Sequence, residues 1–183
     1  MFNPDDYDDF FITSDTWFGR GQILEISPHR IKFNNIDEMN QHIIDNWNSV
    51  VKPDDLVIHL GNFAWDPLSA VSVAKKLNGK IAILNNNQNM IKLELEFKIN
   101  ERKLKNIRLY EEQILKSKNH DVILSCYPLT QWPGQYHDTL QVHGHSILDN
   151  ETTKTQKNKF NATVDCCNML PIKLSTIKEL LTL

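Results

Sequence analysis

Five short apolar runs, each closed by a cluster of polar residues, constrain this chain more than any other feature. They are Phe10 to Thr13 (FFIT), Leu56 to Leu60 (LVIHL), Ile81 to Leu84 (IAIL), Val122 to Leu124 within DVILS, and Leu140 to His143 (LQVH). Runs this short and this rich in β-branched residues read as strands, mostly buried on both faces. Ile91, Leu93, Leu95, Phe97 and Ile99 alternate with charged residues, the period of a half-buried strand. Helical patterns lie between the runs. Asp37 begins a stretch in which Met39, Ile43, Ile44, Trp47 and Val51 share a face, with Ile36 as a hydrophobic staple. Asp66-Pro67 is a cap followed by proline at the first helical position; Leu68, Val71, Ala74 and Leu77 supply its stripe, and Asn78-Gly79 ends it. Further helices are expected within Glu101 to Lys118, carrying Leu104, Ile107, Ile114 and Leu115, and over Ser175 to Leu181. Strands alternating with helices, then a strand-rich second half, predict an α/β (α+β) layered sandwich.

No repeat, low-complexity tract or linker divides the 183 residues, so residues 1–183 are expected to form a single domain. Lys plus Arg is 20 against 23 Asp plus Glu, a formal charge of −3, which lacks the basic surplus of a general nucleic-acid coat. No apolar run approaches the roughly 20 residues that a spanning helix needs. The acidic start MFNPDDYDDF has neither the basic nor the apolar region of a signal peptide, so a cytoplasmic protein without membrane contact is expected. Cys126, Cys166 and Cys167 are an odd, sparse set that fits reduced thiols.

In open α/β sheets, functional groups gather beyond the carboxyl ends of the strands. Here those ends carry Ser14 to Arg20 (SDTWFGR), Gly61 to Trp65 (GNFAW), Asn85 to Asn89 (NNNQN), Ser125 to Leu129 (SCYPL) and His143 to Ile147 (HGHSI). Taken singly, each has a purely structural reading. Asp15 can cap a turn, the Asn run can be a turn tolerant of left-handed backbone, Cys126 can be a small buried hydrophobe, and His59 and His145 can be hydrogen-bonded residues of core and loop.

Taken together and in order, the segments SDTWFG, LGNFAW, ILNNNQN, LSCYPL and HGHSI resemble the small calcineurin-like metallophosphoesterases of bacteria and phages. The stretches IDEMNQHIIDNWNSVVKPDDLVIHLG and FNATVDCCNMLPIKL add to the resemblance, which spans nearly the whole chain. It implies a two-sheet β-sandwich flanked by helices, the four-layer metallo-dependent phosphatase arrangement. It also implies two bridged divalent metals that activate a hydroxide for attack on phosphorus.

The residues themselves depart from that chemistry. Among the seven expected ligands, Asp15, Asn86 and His145 are kept. Trp17 and Ile147 stand where histidines are expected, Asn62 where the bridging aspartate is, and Cys126 where a further histidine is. The expected acid and its supporting carboxylate are Asn87 and Gln88. Trp17 and Ile147 offer no metal lone pair, and a neutral Asn62 is a poor bridge between dications. Asp15 is the only expected carboxylate left, against about four positive charges.

The catalytic positions Trp17, Asn87 and Gln88 are thus not expected to be competent, and no cofactor is expected. If one is held, the remnant of Asp15, Asn62, Asn86, Cys126 and His145 would take one zinc or manganese ion. The reading that follows is an inactive metallophosphoesterase-like protein that binds a protein partner, for example a phage protein that inhibits a host factor. Trp17, Trp65 and Trp132 are candidate anchors for that partner. The alternatives are a residual one-metal phosphodiesterase or phosphatase, with Arg20 or His143 on phosphate, and a nucleotide-binding sensor.

Overall fold

The computed structural model describes residues 2–84, 104–146 and 158–181. Within them the chain forms two sheets and four α-helices. The first sheet has the order β4-β3-β2-β1-β9, built from β1 (Phe11–Thr13), β2 (Leu56–His59), β3 (Lys80–Leu84), β4 (Ile107–Tyr110) and β9 (Ile172–Lys173). Strands β1 to β4 run parallel and β9 is antiparallel to β1. The second sheet has the order β5-β6-β7-β8, from β5 (Ile114–Ser117), β6 (Val122–Ser125), β7 (Leu140–His143) and β8 (Lys159–Asn161). Here β6, β7 and β8 are parallel and β5 is antiparallel to β6.

Side-chain alternation along the strands divides the interior in two. Ile12, Leu56, Ile58, Ala82 and Leu84 from the first sheet meet Val122, Leu124, Leu140, Val142 and Phe160 from the second, and Leu174 and Ile177 of α4 (Leu174–Leu180) join them. On the opposite face of the first sheet, Phe11, Val57, Ile81, Ile83 and Ile107 pack under α2 (Ile36–Val50) and α3 (Pro67–Ala74). The buried residues of α2 are Met39, Ile43, Ile44 and Trp47, the face that the sequence pattern predicts.

Local chemistry sets the helix boundaries. Asn35 caps α2 by accepting from Glu38 N, so the helix starts at Ile36, which lies inside the first turn and is not a staple preceding it. Asp66 caps α3 through Ser69 N, with Pro67 at the first position. The apolar face of α3 is Ala70, Val73 and Ala74; Leu68, expected on the stripe, is 77% exposed. The short α1 (Ile23–Ile26) follows the loop after β1.

One expected helix is absent from its expected place. Residues 107–110 and 114–117 are the strands β4 and β5, and Ile114 is 47% exposed. Apolar spacing in that stretch satisfies both periods, and pairing with β3 and β6 decides for strand. The expected alternating strand over 91–99 lies outside the described residues. Among the described residues, no helix is long and apolar enough to cross a membrane.

Ile58 sits at the centre of β2 and is fully enclosed between the sheets. Ile58→Ala is expected to lower stability by about 2–5 kcal/mol, read as a reduced denaturant midpoint at unchanged slope.

Candidate functional site

The carboxyl ends of β1, β2 and β7 converge because their loops are hydrogen-bonded to one another. Asp15 N donates to Gly61 O at 3.0 Å, Trp17 N to Asn62 O at 2.9 Å and Phe18 N to Phe63 O at 3.0 Å. Ser14 forms a parallel bridge with Thr163, and Val164 N donates to Ser14 O at 2.9 Å, which joins the end of β1 to the chain leaving β8. The two sheets are therefore stitched together at the site. Asp15, Trp17, Asn62 and His145 all have left-handed backbone, with φ of 58°, 52°, 54° and 52°. Such conformations cost of order 1 kcal/mol or more for residues other than glycine and persist where the surroundings hold them.

Asp15 is the hub. Its Oδ1 accepts from Asn62 Nδ2 at 2.7 Å, and its Oδ2 accepts from Ser14 Oγ at 2.6 Å and from His145 N at 2.7 Å. Burial alone would raise its pKa. The hydrogen bonds from the His145 side chain, Ser14, Asn62 and the His145 amide outweigh that and hold the carboxyl below its ordinary value. His145 Nδ1 lies 2.9 Å from Asn62 Nδ2 and 3.5 Å from Asp15 Oδ1. The carboxylate raises the imidazole pKa, against a smaller effect of burial. Gly144 permits this close approach: a Cβ there would overlap Ser14 Oγ and come within 2.9 Å of Asp15 Oδ2.

What holds the loop lies outside the motifs. Arg30, fully buried, forms a bidentate pair with Asp165, Nε to Oδ1 at 2.8 Å and Nη2 to Oδ2 at 2.9 Å. The same guanidinium donates through Nη1 to Thr16 O at 2.8 Å and through Nη2 to Asp15 O. It thus fixes the two carbonyls that follow the hub carboxylate. Sequence reasoning missed this pair. Its one signal was Asp165, an acid set directly after FNATV, in which Phe160, Ala162 and Val164 alternate with polar residues as in a half-buried strand.

The remaining candidates separate into three groups. Asp15, Asn62 and His145 come together, and Asp15, Trp17, Arg20 and His145 line a cleft of about 440 Å³. Trp17 is half-buried and Trp65, 42% exposed, lies 6.3 Å from it between ring centroids. By contrast, Cys126, His143 and Trp132 are buried. Cys126 belongs to the core between the sheets, and burial pushes its thiol up to about 12. His143 does not reach the cleft, so it is corrected from phosphate contact to interior residue; burial depresses it to about 4. Trp132 is 6% exposed and donates Nε1–H to Thr139 O at 2.8 Å, which makes it a packing residue and removes it from the anchors. Asn86, Asn87, Gln88 and Ile147 lie outside the described residues.

His59 follows its structural reading. Gly61 N donates to Nδ1 at 3.2 Å, and Nε2 meets Thr16 Oγ1 at 3.0 Å while that hydroxyl donates to Phe63 O at 2.7 Å. The network assigns the proton to Nε2. Desolvation outweighs the attraction of Asp15 and lowers the pKa to about 3.

Of the candidate ligands within the described residues, Asp15 brings the one carboxylate, Cys126 is enclosed in the core between the sheets, and Asn62 donates through Nδ2 to Asp15. Among the described residues, no group of three or more His, Cys, Asp or Glu is placed to hold a metal ion.

No family model matches the chain. An uncharacterized protein of Methanocaldococcus jannaschii, MJ1445, is 29% identical over 182 residues, spanning 93% of this chain and 90% of its own. The crystal structure of AQ665 from Aquifex aeolicus, a protein described as of unknown function, aligns with a TM-score of 0.64 at 24% identity, covering 94% of this chain and 98% of that one. The similarity to AQ665 establishes a shared fold over nearly the full length.

Two outcomes follow from this geometry. Arg30→Met leaves Asp165 without its cation and is expected to cost about 3–5 kcal/mol. Asp54→Asn, which breaks the exposed Lys80–Asp54 pair 4.0 Å apart, is expected to cost under about 1 kcal/mol; denaturant titration of both variants checks the contrast. For His59, the unfolded chain takes up a proton near pH 6.5 and the folded chain only near 3. The unfolded state therefore binds more protons in this window, and the stabilisation present above pH 6.5 is lost as pH falls, by about 1.4 kcal/mol per unit. His59→Gln is expected to flatten the pH dependence of Tm between pH 6.5 and 4.

Proposed function

We propose that this protein is a calcineurin-like metallophosphoesterase in fold and a binding protein in function, with no hydrolytic centre. The four-layer arrangement of that family, with helices outside the second sheet as well, belongs to the same reading. The observation that carries it is Asn62. Its amide nitrogen lies 2.7 Å from a carboxylate oxygen of Asp15 and 2.9 Å from the Nδ1 of His145, the two groups that would otherwise face a cation. A neutral donor there satisfies the carboxylate and adds no charge, whereas a bridging carboxylate would bind a cation and repel Asp15. The amides Asn87 and Gln88, at the positions of the proton donor and its support, agree with this.

Binding of a protein partner is supported by the surface beside the site. Trp65, at 42% exposure, lies 6.3 Å from the half-buried Trp17 between ring centroids, and Leu68, at 77%, follows on α3. Large apolar side chains on a helix and the loop before it make anchors of the kind that dominate interfaces.

The test compares the wild type with Asn62→Asp. Calorimetric titration of the wild type with manganese or zinc is expected to give no stoichiometric binding, and turnover of a generic aryl phosphodiester in either metal is expected to equal the blank. Asn62→Asp, with a second carboxylate beside Asp15, is expected to gain metal affinity. Metal-dependent turnover by the wild type, lost in Asp15→Asn, overturns the proposal.

A further inference from the structure

Arg20 has an unusual environment for a cation. Its guanidinium carbon lies 4.3 Å from the Trp17 ring centroid and 5.0 Å from that of Trp65. Its Nε is closed off from solvent and has no hydrogen-bond partner. Among the described residues, no carboxylate pairs with it. A guanidinium carries five donors, and buried polar groups are ordinarily satisfied. The two ring contacts hold the guanidinium in place while its Nε stays unmatched, the condition of a receptor for an oxyanion.

The cleft that Arg20 lines completes the description. Ile23, Ile26, Pro28 and Trp17 give it apolar walls, and Thr163 and His145 stand at its other side. At about 440 Å³ it falls within the range of small-molecule sites, which hold roughly 300–1,000 Å³ with a few placed polar groups. Charge then selects among oxyanions. Of the charged groups in the walls, Asp165 is neutralised by Arg30 and Asp15 has His145 3.5 Å away, which leaves Arg20 as the permanent cation outside an ion pair. A phosphate monoester brings about −1.5 to −2 charges. A carboxylate brings one, which Arg20 matches through two parallel hydrogen bonds without excess repulsion from Asp15.

We infer that the cleft beside Asp15 is a binding site for a small organic carboxylate, its oxyanion held by Arg20 beside Trp17 and Trp65 and its apolar body against Ile23, Ile26 and Pro28. This site goes beyond the partner-binding reading and does not depend on it.

The experiment is calorimetric titration of the intact chain with four probes: phenylacetate, 2-phenylethanol, acetate and phenyl phosphate. Phenylacetate is expected to bind at least tenfold more tightly than the neutral alcohol or acetate, and more tightly than phenyl phosphate. Arg20→Gln is expected to lose at least tenfold for phenylacetate and to leave 2-phenylethanol unchanged. Arg20→Lys keeps the charge without the planar fork and is expected to fall between, which separates loss of the receptor from loss of the fold; an unchanged Tm in both variants provides the second control. Equal binding of phenylacetate and 2-phenylethanol, no binding of either, or indifference to Arg20→Gln overturns the inference. Tighter binding of phenyl phosphate overturns the choice of carboxylate. Release of phenol from phenyl phosphate would count against the non-hydrolytic reading and leave the carboxylate site standing.

Discussion

The Arg30 guanidinium holds this structure's functional end in place. It lies between the chain leaving β1 and the turn after β8, bonding Asp165 on one side and the carbonyls of Asp15 and Thr16 on the other. A fully buried cation is tolerable only when its donors are occupied, and here two belong to a carboxylate and two to backbone oxygens that have left the sheet ladder. The arrangement solves two problems together. It neutralises Asp165, and it satisfies carbonyls that the left-handed turns at Asp15 and Trp17 would otherwise orphan.

With that clamp in place, the ends of three strands meet around one carboxylate. Asp15 accepts from Ser14, Asn62 and the His145 amide, so most of its acceptor sites are used within the protein. A carboxylate so occupied is stable as an anion and has little capacity left for a ligand. The neighbouring cation, Arg20, is in the opposite condition: held in position by aromatic rings and unmatched at its Nε. On the reading proposed above, ligand binding therefore falls to the base at the rim.

Most of the strands and three of the helices were legible because their apolar periods are local properties. The stretch from Ile107 to Ser117 was not, since its spacing fits either period and only the partners β3 and β6 decide. At the site, the convergence of Asp15, Asn62 and His145 followed from their places at strand ends. The burial of Cys126 agrees with its structural reading, whereas that of His143 and Trp132 was not legible: a strand residue such as His143 can face the core or the cleft, and Trp132 lies in a loop whose path no apolar period sets. The Arg30–Asp165 pair was hidden for another reason: its members are 135 residues apart, and Arg30 belongs to no motif.

The left-handed backbone at Asn62 has an evolutionary consequence. At φ of 54° the residues that fit without strain are essentially glycine, asparagine and aspartate. Of these, only aspartate is charged, and it matches asparagine in shape. Trp17, at a φ of 52°, shows that the scaffold can hold a larger residue in this conformation, at a cost that asparagine and aspartate avoid. Between those two, exchanging one nitrogen for one oxygen keeps the shape of the side chain and sets a second charge beside Asp15.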